Sequence, residues 1–299
     1  MSSTAQLSRP TTSIEVFETA LGAEVHGLDM NEPLTPEQVR VVQQAWNEHL
    51  VLRFRGQGKL TLEGLARFSR NFGTLDKRPT ASMEMSSAHD QLPAEITVIS
   101  NVKVEGKPVG ALGDGEAVWH SDMTYNERPP KGACLYAVEV PPSGGNTHFS
   151  NLYRAYDTLP EDMKQRIVSL SCVHDASRNS AGELRLGFED NTDPRKTVGA
   201  VHPLVAVHPE TGRRCLLLGR RRNAYIVGLE LEQSEKLLDL LWTHATQPQF
   251  TWTQVWQVGD VVMWDNRCTL HRRDSFDPNS RRLMYRTQIA SSEPVRGLA

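Results

Sequence analysis

VVMWDNRCTLHRRDSFDPNSRRLMYRTQI, residues 261 to 289, is the stretch on which the fold turns. Its opening VVMW is apolar without interruption and reads as a strand. Trp264-Asp265-Asn266 then reads as a turn, and His271 follows on the return. Arg282 and Arg286 stand eleven and fifteen residues beyond His271, at even-numbered positions that share one face of a single strand. A histidine and two inward-facing guanidinium groups need something anionic to face. The competing reading makes Arg281, Arg282 and Arg286 a solvated basic strand.

Similar segments lie upstream. Residues 13 to 30 read as short strands, with Ile14, Val16, Ala23 and Val25 alternating with polar neighbours around Gly22. Leu50-Val51-Leu52-Arg53-Phe54 is a short buried strand closed by Gly56 and Gly58. Further strands are expected at 132–140, 201–207, 214–218, 250–256, 260–264 and 282–290, separated by turns such as 142–145 and 209–212. Many short strands without regular βαβ alternation favour an antiparallel sandwich or jelly roll, mainly β with helices packed outside it. Three helices are expected. Thr35-Pro36-Glu37-Gln38 forms a capping box ahead of Val39, Val42 and Trp46. A second helix runs from Thr61 to a stop at Gly73, and a third covers 231–246, ahead of Pro248. The remainder reads as strand. No internal repeat or linker divides the chain, so residues 1–299 are expected to form a single domain.

At 299 residues, with 38% hydrophobic and 23% charged, the chain is long enough for a real core. Thirty-three Lys+Arg against 36 Asp+Glu leave a formal charge of -3, so no global field recruits nucleic acid or an anionic membrane. A small molecule is the expected partner. The N-terminal stretch lacks a basic region followed by an apolar one, and no apolar run approaches the roughly 20 residues that span a bilayer, so a cytoplasmic location is expected. Cys134, Cys172, Cys215 and Cys268 are scattered and read as buried free thiols.

AVWHSDMTY, residues 117 to 125, places His120 and Asp122 at i and i+2, on one face if the segment is a strand. Imidazole nitrogen with carboxylate oxygen suits a first-row metal. Two histidines and one carboxylate on one face form the donor set of non-haem Fe(II) oxygenases. The spacing alone is equally that of a hydrogen-bonded surface pair. A second His-x-carboxylate, His208-Pro209-Glu210, sits in a turn with Thr211-Gly212 and reads as part of a solvated hairpin. GRRRN at 219–223 is the strongest basic cluster. It has neither the Gly-rich pattern that cradles phosphate nor interleaved aromatics, and reads as a surface loop near the mouth of the site.

Taken in order, FRGQ (54–57), FSRNFGTL (68–75), WHSDMTY (119–125), PPSGGNT (141–147), HPETGR (208–213) and WDNRCTLH (264–271) resemble a known group. It is the taurine dioxygenase-like family of Fe(II)/2-oxoglutarate-dependent dioxygenases, which includes the aryloxyalkanoate (2,4-D type) enzymes. Several motifs in one order are far more specific than any one of them, and the resemblance covers most of the chain. It implies a double-stranded β-helix, a cupin-like jelly roll. It implies His120, Asp122 and His271 as Fe(II) ligands, Thr147 and Arg282 as contacts of the 2-oxoglutarate carboxylate, and Arg286 facing the anionic group of the primary substrate. It also implies consumption of 2-oxoglutarate and O2, release of succinate and CO2, and hydroxylation of a substrate C–H bond. A leaving group departs where the hydroxyl lands beside a heteroatom. Retention of Asp122 argues for hydroxylation over halogenation. A homo-oligomer, dimer or tetramer, is the family expectation.

Two positions depart from the taurine enzyme: Arg78 stands where it has a substrate-contacting histidine, and Glu116 where it has an asparagine. With Tyr125 they complete the substrate-side candidates. Glu116 either pairs with a cationic part of the substrate, or with Arg78 when the site is empty, or both are loop residues in water. Two other classes use the same triad: a Zn(II) hydrolase with an activated water, which leaves Thr147 and Arg282 no cosubstrate, and a cupin-like binding module without turnover. Sulfonate, aryloxyalkanoate and amino-acid substrates all remain open at this level.

Overall fold

Eight strands form one sheet in the order Ser13–Val16, Ala23–His26, Val51–Phe54, Val261–Asp265, Gly132–Glu139, Leu283–Ile289, Thr97–Ser100 and Ala111–Leu112. A second sheet runs Thr251–Gln254, Thr147–Asn151, Thr269–Arg273 and Ala117–His120. The computed structural model describes residues 11–78, 85–87, 91–115 and 117–298. Pairing is antiparallel except where Ala23–His26 meets Val51–Phe54 and Thr97–Ser100 meets Ala111–Leu112. The sheets lie face to face, the ring of Phe149 from the smaller sitting 5.7 Å from Trp264 of the larger. The fold is a mainly β jelly roll.

Alternation along the large sheet explains its unbroken apolar runs. Val262, Trp264, Leu135, Ala137 and Met284 face the core between the sheets. Val261, Met263, Cys134 and Tyr136 face the other way, into a second core closed by the helices Pro36–His49 and Leu62–Arg70 through Val42, Trp46, Leu65 and Phe68. Strands buried on both faces have no solvent side to carry polar residues.

The first helix carries the reciprocal cap expected of it: Gln38 N–H donates to Thr35 Oγ1 (3.2 Å) and Thr35 N–H to Gln38 Oε1 (2.9 Å). Thr35→Ala is expected to cost about 1 kcal/mol, lowering the calorimetric Tm by roughly 1–2 °C. The second helix ends at Arg70, before the expected stop. Gly73 serves packing instead, since a Cβ there would lie 2.7 Å from Ile289 Cγ2. The helix Leu231–Ala245 buries Ser234, Leu237, Leu238, Leu241, Trp242 and Ala245, as its spacing predicts.

Several expectations need correction. Helices Leu152–Asp157 and Glu161–Ile167 stand where strand is expected; Asn151 Oδ1 caps the first by accepting the Arg154 N–H at 3.1 Å. Residues 201–207 are two strands, Val201–Pro203 pairing with Ser171–Val173 and Val205–Val207 with Arg214–Leu216. Trp264 and Asp265 belong to their strand, and the turn starts at Asn266. All four cysteines are free and buried. Among the described residues, no helix is long and apolar enough to cross a membrane.

Candidate active site

His120 ends the strand Ala117–His120, and Asp122 lies beyond it in a turn, not on the strand face that the i, i+2 spacing suggests. Asn266 imposes the departure. Its Oδ1 accepts the Asp122 N–H at 2.6 Å, while its Nδ2 donates to the carbonyls of Asp122 (2.9 Å) and Pro130 (3.1 Å). Met123, at φ +50°, then turns the chain. Ser121 Oγ donates to the Thr269 carbonyl at 2.7 Å, tying the same segment to the strand that carries His271.

On that strand His271 pairs directly with His120, and the two rings are 4.1 Å apart. Asp122 sits between them, its Oδ1 3.6 Å from His120 Nε2 and its Oδ2 3.8 Å from His271 Nε2. His120 Nδ1 lies 2.7 Å from the Val118 carbonyl and donates to it, which leaves the Nε2 lone pair for a ligand. Burial, aided by neighbouring His120, pushes His271 down to about 3. Burial alone would raise Asp122, but Arg286, whose Nη1 is 3.2 Å away, and the two imidazoles hold it well below the usual carboxylate range. A neutral His271 and an ionised Asp122 are the states a cation requires. One donor atom from each of the three buried residues lies within 4.8 Å of the others, and the N/N/O set fits a divalent first-row metal.

Behind the triad opens a cavity lined by Thr147, Arg273, Arg282, Arg286, Leu135 and Ile99. Arg282 is 1% exposed. Its backbone is gripped on both sides, the carbonyl by Ser100 Oγ (2.7 Å) and the N–H by Asn101 Oδ1 (3.0 Å). Its Nε and Nη1 have no partner, and burial together with nearby Arg273 pulls it down to about 9. An uncompensated buried charge is strongly destabilising, so this one calls for an anion. Thr147 Oγ1 accepts the Trp256 indole N–H at 3.0 Å, so its own proton is free to donate. Gly145, at φ +63°, brings the PPSGG turn onto the stem of Arg282, where a Cβ would lie 3.4 Å from Cδ.

The remaining candidates are placed less uniformly. Half-buried Arg286 lines the cavity and reaches Asp122. The Tyr125 ring lies between two guanidinium groups, Arg185 Cζ at 4.0 Å and Arg220 Cζ at 5.9 Å from its centroid. Arg78 is a loop fastening: its Nη1 donates to the carbonyls of Leu92 (2.9 Å) and Pro93 (3.0 Å). Glu116 and its expected pairing lie outside the described residues.

Two sequence readings fail here. GRRRN is not simply a surface loop: Arg220 bridges to His120 through its backbone, donates from Nη1 to the Arg178 carbonyl (3.0 Å) and keeps its Nε buried without a partner. Arg221, which pairs with Glu235 and Asp239, and the exposed Arg222 behave as expected. The buried run Cys215–Leu218 leading into Arg220 was the available signal, whereas Arg185 lies in an irregular segment whose spacing says nothing. Likewise His208 is not solvated. It is 2% exposed, with Nε2 3.0 Å from Asp265 Oδ2, and Asp265 also accepts from Arg267 Nε at 2.9 Å. His208, Asp265 and Cys268 form a second buried group of metal-type donors. There, however, Arg267 occupies the carboxylate, and burial holds the Cys268 thiol protonated.

Two facing sheets, three buried N/O donors that could hold a metal and an adjoining cavity lined by guanidinium groups describe a jelly-roll protein with a candidate metal site. Residues 9–288 match the model of the Taurine catabolism dioxygenase TauD, TfdA family, and the chain belongs to that family of 2-oxoglutarate-dependent dioxygenases. It is 32% identical to pentalenolactone F synthase of Streptomyces avermitilis over 97% of each chain. It is 36% identical to the alpha-ketoglutarate-dependent 2,4-dichlorophenoxyacetate dioxygenase of Burkholderia sp. (strain RASC), over 88% of this chain and 89% of that one. The solved structure of AAD-2 in complex with Mn(II) and N-oxalylglycine is 33% identical and superposes with a TM-score of 0.78, covering 96% of this chain and 100% of the other.

Proposed function

We propose that the protein is an Fe(II)- and 2-oxoglutarate-dependent dioxygenase that hydroxylates a small anionic substrate, a sulfonate or carboxylate, with C–heteroatom cleavage where the hydroxyl falls beside a heteroatom. The observation that carries this reading is Arg282, a fully buried guanidinium with two unpartnered N–H groups in the cavity that adjoins the triad. His120, Asp122 and His271 would hold the metal. When bound, Fe(II) would supply the coupling of O2 reduction to oxidative decarboxylation of 2-oxoglutarate, giving succinate and CO2. Arg282 would clamp the distal carboxylate by a charge-assisted, bidentate pair, and the Thr147 hydroxyl would add a donor held in direction by Trp256.

Arg286 would face the substrate anion, since the charge it now shares with Asp122 passes to the metal site on loading. Arg220, behind Tyr125, adds positive charge on that side. A Zn(II) hydrolase would leave Arg282 and Thr147 without a cosubstrate to hold, and similarity to oxoacid-dependent enzymes supports neither that reading nor a binding module. Arg286→Gln is therefore expected to lower kcat/KM for the anionic substrate roughly 10- to 100-fold, the loss of a charge-assisted hydrogen bond, while the Kd for 2-oxoglutarate stays as it was.

The decisive test is proton NMR detection of succinate from Fe(II)-loaded protein, 2-oxoglutarate and air, with a panel of sulfonates, aryloxyalkanoates and amino acids. Substrate-stimulated succinate with one class supports the reading and names that class. Folded, iron-loaded protein that forms no succinate at all would turn the assignment to the hydrolase or binding module.

A further inference from the structure

Arg273, neither a triad member nor part of the Arg282–Thr147 pair, sits in the same cavity. It follows His271 by two positions on the strand Thr269–Arg273 and lines the same space as Thr147 and Arg282. The residue is 5% exposed. One nitrogen is committed: Nη2 donates to the carbonyls of Leu112 (2.8 Å) and Gly115. The other two, Nε and Nη1, are buried and have no partner. The ring of Phe276 packs 5.6 Å from Cζ. The acidic neighbour, Asp114, acts on Arg273 through space only, and no hydrogen bond joins the two among the described residues.

Arg282, in the same cavity, also keeps Nε and Nη1 unpartnered. Four buried N–H-bearing nitrogens on two like-charged groups thus share one enclosed space. Alone, the two guanidinium groups repel each other and each bears the cost of lost hydration. A carboxylate removes both difficulties, because its two oxygens offer about four lone-pair sites and can accept from both groups at once.

We infer that Arg273 is a second anchor for the distal carboxylate of the oxoacid cosubstrate, forming with Arg282 a two-arginine clamp that selects a dicarboxylic 2-oxoacid. The inference rests on the proposed 2-oxoglutarate dependence and assigns Arg273 as a positioning and specificity residue. Its hold on the Leu112 and Gly115 carbonyls fixes the guanidinium through Nη2, leaving Nε or Nη1 to give the ligand a single charge-assisted hydrogen bond. A 2-oxoacid without a distal carboxylate would leave both groups unpartnered.

The test is titration calorimetry under argon with Mn(II)-loaded protein, which binds without turnover. 2-Oxoglutarate is compared with 2-oxovalerate, which has the same carbon chain without the second carboxylate. Arg273→Met is expected to weaken 2-oxoglutarate about tenfold or more and to leave 2-oxovalerate unaltered. In turnover assays it should raise the KM for 2-oxoglutarate while kcat at saturation and the KM for the primary substrate stay unchanged. Equal weakening of both oxoacids would make Arg273 a peg for the 112–115 segment and overturn the inference. So would no change in either, which would show Arg282 sufficient. Should Arg273→Met fail to fold, Arg273→Lys keeps the charge without the fork; it is expected to weaken the dicarboxylate alone, and parallel loss for both oxoacids would again overturn the inference. Wild-type protein that binds neither oxoacid would remove the 2-oxoglutarate reading itself, and the inference with it.

Discussion

Asp122→Ala is expected to lower substrate-stimulated succinate formation by more than about a hundredfold, because even partners one shell further from a metal are typically worth 10- to 100-fold. Asp122 is the one anionic donor of the triad and lies between both imidazoles, 3.6 and 3.8 Å from their Nε2 atoms. Removing it leaves two neutral donors facing the positive charge of Arg286, an arrangement that repels a cation. Bound iron measured by emission spectrometry should fall in parallel. A variant that keeps its metal and half its turnover would mean that these three side chains are not the metal centre.

Asp265→Ala is expected to be the most destabilising single change, about 3–5 kcal/mol, because it strips a buried pair of one partner. Asp265 is 1% exposed and accepts from Arg267 N, Nε and Nη2 and from His208 Nε2. Truncation strands Arg267 and His208 in the interior, and calorimetry should show a Tm lower by roughly 5–8 °C. The effect has a pH signature. Burial alone would raise the Asp265 carboxyl, but Arg267 and His208 hold it far below its ordinary range. Its folded value lies below its unfolded one, so its stabilisation is complete above the unfolded value near 3.9 and is lost as pH falls towards the folded one. The Tm gap between wild type and variant should therefore be constant near neutrality and shrink below about pH 4. A gap that widened in acid would rule out this electrostatic account.

What could be read in the sequence follows the range of the interactions involved. Helix Pro36–His49 is legible because its cap lies within four residues and its apolar face has period 3.6. The inward direction of Arg286 follows from alternation along the strand Leu283–Ile289; Arg282, expected on that strand, precedes its first residue and still lines the same cavity. The turn position of Asp122 does not, because it depends on Asn266, 144 residues away, whose amide takes over the backbone hydrogen bonds of the segment. His208 fails similarly. HPETGR has the local chemistry of an exposed turn and does form one, but Asp265, 57 residues on, draws the histidine inside. Charge runs usually mean solvent, and Arg220 escapes that rule because the Tyr125 ring and the Arg178 carbonyl cover it. The short helices after Asn151 are too brief for periodicity to show.

The Asn266 and Ser121 hydrogen bonds have a thermodynamic corollary. They fasten the His120–Asp122 segment to Thr269 and to Asn266 using protein groups alone, so the proposed metal cradle is held in place by hydrogen bonds that need no ion. Little chain entropy is left for an ion to overcome, and little folding energy depends on it, in contrast to zinc fingers, which unfold when stripped. Chelation should therefore abolish activity and leave the melting curve almost unmoved. A rigid cradle of imidazole and carboxylate also follows the general affinity order, in which Cu(II) and Zn(II) exceed Fe(II). Occupancy then tracks which ion is supplied, and under the proposed Fe(II) dependence protein isolated without added Fe(II) should arrive loaded with another ion and regain turnover on exchange.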